Sequence, residues 1–134
     1  MTAIGMDITA ALGQSAGIGR YVRSLSGVLA SQYDQVDWRW LALGQDLPDV
    51  WRPPVGRLNR TPVSERNMQR LWVRLRLPLP VEWWTGSIDL FHAPDFYLPP
   101  TRRSTRTVVT VHDLAFERFP GDTMPGMLDF LRRV

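Results

Sequence analysis

"RTVVTVHDL", residues 106–114, sets the fold class of this chain. Thr107 to Val111 are all β-branched, side chains that are stiff at χ1 and pack well on an extended, pleated surface. Because the run is continuous rather than alternating, it predicts a strand buried on both faces, as strands of parallel sheets are. The strand stops at His112 and Asp113, polar residues at the end of a hydrophobic run. Just upstream, "SIDLFHAP" (87–94) reads as another strand, and the intervening "DFYLPPTRRS" is too rich in proline and polar residues for a useful helix.

Further back, "TAIGMDI" (2–8) is a short apolar run closing on Asp7, followed by a glycine-containing loop. From Gly17 to Gln32 the residues Ile18, Tyr21, Val22, Leu25, Val28 and Leu29 recur at helical spacing and predict one apolar face. "VDWRWLAL" (36–43) alternates Val36, Trp38 and Trp40 with polar neighbours, the period of a strand. A proline-rich connection leads to "RLNRTPV" (57–63), a candidate short third strand. Ser64 is the candidate N-cap of a helix through "SERNMQRLWVRLRL", with Met68, Leu71, Trp72 and Leu75 on one stripe and Pro78 and Pro80 ending it. A last helical pattern starts at Asp122 or Thr123 and carries Met124, Met127, Leu128 and Leu131 up to Val134. Because it meets no stop signal, it reads as the front part of something longer. Strands alternating with helices predict an α/β protein with a mainly parallel sheet, whose ligands bind beyond the carboxyl ends of the strands.

Composition narrows the classes. With 134 residues, 44% of them hydrophobic, the chain supports one domain over 1–134. All 16 basic residues are Arg, spread along the chain, and the net charge is only +3, so a nucleic-acid partner is not expected. The absence of cysteine excludes disulfides, zinc-thiolate sites and a cysteine nucleophile, and fits a reducing cytoplasm. No apolar run approaches the ~20 residues of a membrane span. "LWVRLRLPLPVEWW" mixes aromatics with Arg and leaves peripheral membrane contact open, although a helix and turn covering a core is the simpler reading.

Three strand ends carry the candidate chemistry: "DITAALGQSAGIGR", "HAPDF" and "HDLAF". Gly17 and Gly19 either approach a phosphate at a helix N-terminus or permit a tight turn and a close helix-to-strand approach. Val22 stands where a dinucleotide fingerprint needs a third small residue, which argues against nicotinamide. His112 can exchange a proton near neutral pH or hydrogen-bond a sugar hydroxyl, or it is simply satisfied by backbone. Asp113 either orients it or forms a cap. His92 and Asp95 beside His112 and Asp113 lack the spacing of a metal motif, and no metal or other cofactor is expected. Phe96, Tyr97, Phe116 and Phe119 line a groove or pack on their own domain.

In this order, the strand ending in Asp7, "GIGRYVRSL", "DLFHAPDFYLPP" and "VVTVHDLAFERFP" resemble the N-terminal domain of a retaining GT-B glycosyltransferase of family 4, over essentially the whole chain and most strongly over 3–29 and 88–120. The resemblance implies a Rossmann-like, mainly parallel sheet flanked by helices, one half of a two-domain enzyme. Such an enzyme transfers a sugar from a nucleotide-sugar to a glycan or lipid-linked acceptor with retention, usually without metal, in the cytoplasm or at the inner face of the membrane. It implies that His112 reaches the transferred sugar, that Gly17 and Gly19 meet donor phosphates or acceptor, and that His92 and Asp113 shape the same crevice. The family's paired glutamates, separated by seven residues in the second domain, have no counterpart among Glu65, Glu82 and Glu117. The expectation is therefore a chain without its donor-binding C-terminal domain, inactive alone and open to self-association through an uncovered apolar face. The rival expectation is a stand-alone, non-catalytic Rossmann-like module binding a phosphate- or sugar-bearing ligand or a protein partner.

Overall fold

A computed structural model describes residues 1–15, 17–122 and 132. Apart from Asp122 and Arg132, the predicted terminal helix lies outside these. Five strands, β1 (Ala3–Asp7), β2 (Asp37–Ala42), β3 (Arg57–Arg60), β4 (Leu90–Ala93) and β5 (Arg106–Val109), form one all-parallel sheet in the order β3-β2-β1-β4-β5. With helices on both faces, this is a Rossmann-like α/β fold. Strand order reverses between β1 and β4, which pair as Ile4 with Leu90, Gly5 with Phe91 and Met6 with His92.

The two faces follow from the period-two alternation of the strands. On one face Met6, Trp38 and Trp40 pack with helices α1 (Thr9–Gly13) and α2 (Ile18–Gln32). Trp38 and Trp40 stack with ring centroids 5.0 Å apart, and their indole N–H groups donate to the Tyr33 and Val55 carbonyls. On the other face Leu41, Phe91 and Ala93 pack with Met68 of α3 (Glu65–Gln69), Trp72 and Val81. A fully buried side chain such as Phe91 contributes about 1.5–3 kcal/mol through burial.

Four readings of the sequence need correction. Residues 106–114 are not a strand buried on both faces: pairing ends at Val109, and Val108 and Val109 are 45% and 41% exposed. The reason is position, since among the described residues β5 is the outer strand and pairs only with β4. In α2 the buried stripe runs through Val22, Ser26 and Ala30, while Tyr21 and Val28 lie outside it. The helix from Ser64 is α only to Gln69 and continues as a π-turn over Arg70–Arg74, where the Leu75 N–H donates to the Arg70 carbonyl at 3.0 Å. A π-turn takes up more residues per turn than an α-turn, so Leu75 rotates off the buried stripe and is 60% exposed. Three short helices were not predicted: α1 in the glycine-containing loop, α4 (Glu82–Thr85) and α5 (Ala115–Arg118). Among the described residues, no helix is long and apolar enough to cross a membrane.

Candidate functional site

The carboxyl ends of β1, β4 and β5 bring the three predicted segments together. His92 projects to the face covered by α2, where its Nε2 shares a 2.9 Å hydrogen bond with the Thr110 hydroxyl. Thr110 in turn lies 3.5 Å from the Tyr21 hydroxyl of α2. Burial lowers the pKa of His92, which favours the neutral ring. His112, two residues beyond Thr110, packs edge-on against Tyr21 with centroids 4.9 Å apart and against Phe96 at 5.4 Å. Its Nε2 lies 2.7 Å from the Pro94 carbonyl. A carbonyl only accepts, so Nε2 carries a proton, and Nδ1 is left to face a further partner.

The other predicted residues separate by role. Asp113 Oδ1 accepts the Ala115 N–H at 2.9 Å, which closes the turn leading into α5, one residue before its N-cap Leu114. Gly17 is the N-cap of α2 with φ 57, a backbone conformation that glycine adopts without steric cost. No side chain caps that helix end. Gly19 serves a close approach, but to helix α1 rather than to a strand: a Cβ there would lie 2.4 Å from the Gln14 carbonyl and 2.6 Å from that of Ala10. Arg23 fixes the same loop, donating from Nη1 to the Ala11 and Gln14 carbonyls and from Nη2 to that of Ser15. Nothing in helical periodicity distinguished Arg23 from a solvated arginine.

The sequence also left unassigned a carboxyl pocket at the β1–β4 reversal, lined by Asp7, Thr9, Glu65, Gln69, Asp95 and Tyr97 among others. Asp7 Oδ1 accepts from the Thr9 N–H at 2.8 Å and the Thr9 hydroxyl at 2.6 Å, while that hydroxyl accepts the Leu43 N–H at 3.0 Å. Burial pushes Asp7 up to about 6, against the lowering effect of the Thr9 bonds. Burial, then the charges of Asp7 and Asp95, push Glu65 up to about 7. Asp95 is also raised by burial, with the neighbouring His112 opposing. Near neutral pH Asp7 and Glu65 therefore lie close to their titration and between them offer both donors and acceptors. Only about 30 Å³ is reachable by the centre of a water molecule, room for a hydroxyl or water rather than a sugar ring. The available signal was positional: Asp7 closes β1, Asp95 follows β4, and Glu65 begins the helix after β3.

Compared with known protein families, curated proteins and solved structures, the chain matches none.

Proposed function

We propose that this chain is the acceptor-side domain of a retaining GT-B glycosyltransferase resembling family 4, which transfers a sugar from a nucleotide-sugar. The observation that carries this reading is the meeting of the motif segments at the carboxyl ends of β1, β4 and β5, where His112 bonds to the Pro94 carbonyl and Pro94 also lines a pocket sized for a hydroxyl. The N-terminal N–H groups and the positive dipole of α2, which has no side-chain cap among the described residues, suit the diphosphate of a donor. His112, held through Nε2 by Pro94, offers Nδ1 to a sugar hydroxyl. Carboxyls close to their titration near neutral pH suit the hydroxyls of an acceptor.

The donor-binding half belongs to a second domain in this reading. Glu82 is buried and accepts from the Thr105 hydroxyl and the Arg102 N–H, while Glu117 pairs with Arg132, so both are engaged elsewhere. One wall of a cleft neither surrounds a departing diphosphate nor excludes water, so residues 1–134 alone are expected to be inactive.

The test is turnover of a panel of nucleotide-sugars by the complete gene product, by its His112→Ala variant and by residues 1–134 alone. Turnover that is lost in the variant, with its circular dichroism unchanged, supports the reading. Unaltered turnover in the variant removes His112 from the chemistry. Sustained transfer by the 134 residues alone would overturn the two-walled site, and ligand binding without turnover by the complete product would favour a non-catalytic module.

A further inference from the structure

A second cavity abuts the carboxyl pocket across Tyr97. It is lined by Trp72, Val73, Arg74, Arg76 and Tyr97, and about 370 Å³ of it is reachable by the centre of a water molecule. The two cavities share Tyr97 and differ in charge. One is lined by three carboxyl groups, the other by two guanidinium groups and no carboxylate. Among the described residues the side chains of Arg74 and Arg76 are exposed and, like those of Arg20, Arg103 and Arg106, are not paired with an acid, so both guanidinium groups are open to an anion.

The backbone here departs from ordinary helix geometry. The π-turn over Arg70–Arg74 leads to Arg76, which has φ 52 and follows the helix end where glycine is the usual residue. The Leu77 N–H then closes back on the Leu71 carbonyl at 2.9 Å. Glycine takes this conformation at less cost than arginine, so the arginine at position 76 carries a backbone cost that its side chain does not offset within the fold.

We infer that Arg74 and Arg76 form a phosphate-recognition subsite and that the acceptor is a hydroxylated, phosphate-bearing small molecule lying across Tyr97. Guanidinium groups match phosphate through paired N–H donors, and Tyr97 stands between the arginines and the carboxyl pocket. Charge fixes the direction of binding. The phosphate is drawn to the arginines, and the narrow carboxyl pocket, in which Asp7 and Glu65 give up their protons only near neutral pH, takes a neutral hydroxyl at the other end. The word acceptor rests on the transferase reading; phosphate recognition does not.

The experiment is calorimetric titration of the 134-residue chain with a hexose 6-phosphate, the free hexose and inorganic phosphate, repeated for Arg74→Gln, Arg76→Gly and the control Arg103→Gln. Saturable binding of the phosphate ester about tenfold or more tighter than the hexose, weakened about tenfold in each site variant and unchanged in the control, is expected. Arg76→Gly should keep or raise the melting temperature, which separates lost binding from lost folding. Equal weakening by Arg103→Gln, or equal binding of hexose and hexose phosphate with no vesicle binding, overturns the subsite. A parallel arm uses phosphatidylcholine vesicles with and without phosphatidic acid. Binding that needs phosphatidic acid and fails in the two site variants, without binding of the free ester, assigns the same phosphate chemistry to a lipid headgroup. Binding in either arm without transferase turnover retains the subsite and removes the transferase reading.

Discussion

Replacing Asp7 with Asn isolates what the carboxyl pocket costs the fold. Asp7 is raised by burial to about 6 from an ordinary 3.8. An acid whose pKa rises on folding holds its proton more tightly in the folded state, so its contribution to stability is fully present below about pH 4 and is lost as pH climbs through about 6. A shift of about two units corresponds to roughly 3 kcal/mol at about 1.4 kcal/mol per unit. The pocket opens to solvent, which reduces the effect to about 1–3 kcal/mol. Asn keeps an oxygen for the Thr9 donors and cannot ionise. The variant should therefore match the wild type near pH 4 and exceed it by that amount above pH 7. Urea unfolding followed by tryptophan fluorescence at steps from pH 4 to 8 measures this, provided the denaturant slope is unchanged. Because the Asp7 charge helps to raise Glu65, the Glu65 titration followed by carboxyl carbon NMR should also move down in the variant. A variant destabilised equally at every pH would refute the argument and make Asp7 a purely structural hydrogen-bond acceptor.

Two further substitutions test how the glycine loop is built. Gly19→Ala drives a Cβ into the Ala10 and Gln14 carbonyls, which must move apart, and is expected to cost about 1–3 kcal/mol in thermal unfolding; a neutral result would mean that α1 and α2 separate freely. Arg23→Ala releases three carbonyls and should cost about 1–3 kcal/mol, with faster amide exchange across residues 11–15 while β1 stays protected. Unchanged exchange there would show that the loop holds without the arginine.

The elements legible in the sequence were those whose signal is local. Trp38 and Trp40, two apart, fall on one face because strands alternate. Long α2 shows its helical period, whereas α1, with five residues, is shorter than that period can reveal. Strand order is not local: the β-branched run at 107–111 specifies an extended chain but not how many neighbours it has, and among the described residues β5 has one. The π-turn was equally hidden, since the stripe through Met68, Leu71 and Trp72 suits an α-helix until Leu75 is carried outward. The His112 segment was recognisable because a polar pair ended an apolar run. The carboxyl pocket was not, because Asp7, Glu65 and Asp95 meet only once β1, β3 and β4 are ordered in space.

Departures from local preference gather around Tyr97. Among the described residues, the two non-glycine residues with positive φ are Phe96, which precedes Tyr97 and packs on His112, and Arg76, which lines the arginine cavity with it. Glycine occupies the other positions of that kind, Gly17, Gly44, Gly56 and Gly86. Each non-glycine case costs on the order of 1–3 kcal/mol, and the raised acids of the adjoining pocket add to the cost at neutral pH. A sequence selected for folding alone would place glycine at 76 and an amide at 7. That both costs fall beside one tyrosine, in cavities of opposite charge, is what recognition of a ligand with an anionic and a hydroxylic end would require. Stability and binding then pull in opposite directions at this edge, and Arg76→Gly separates them because it relieves the backbone while removing the guanidinium.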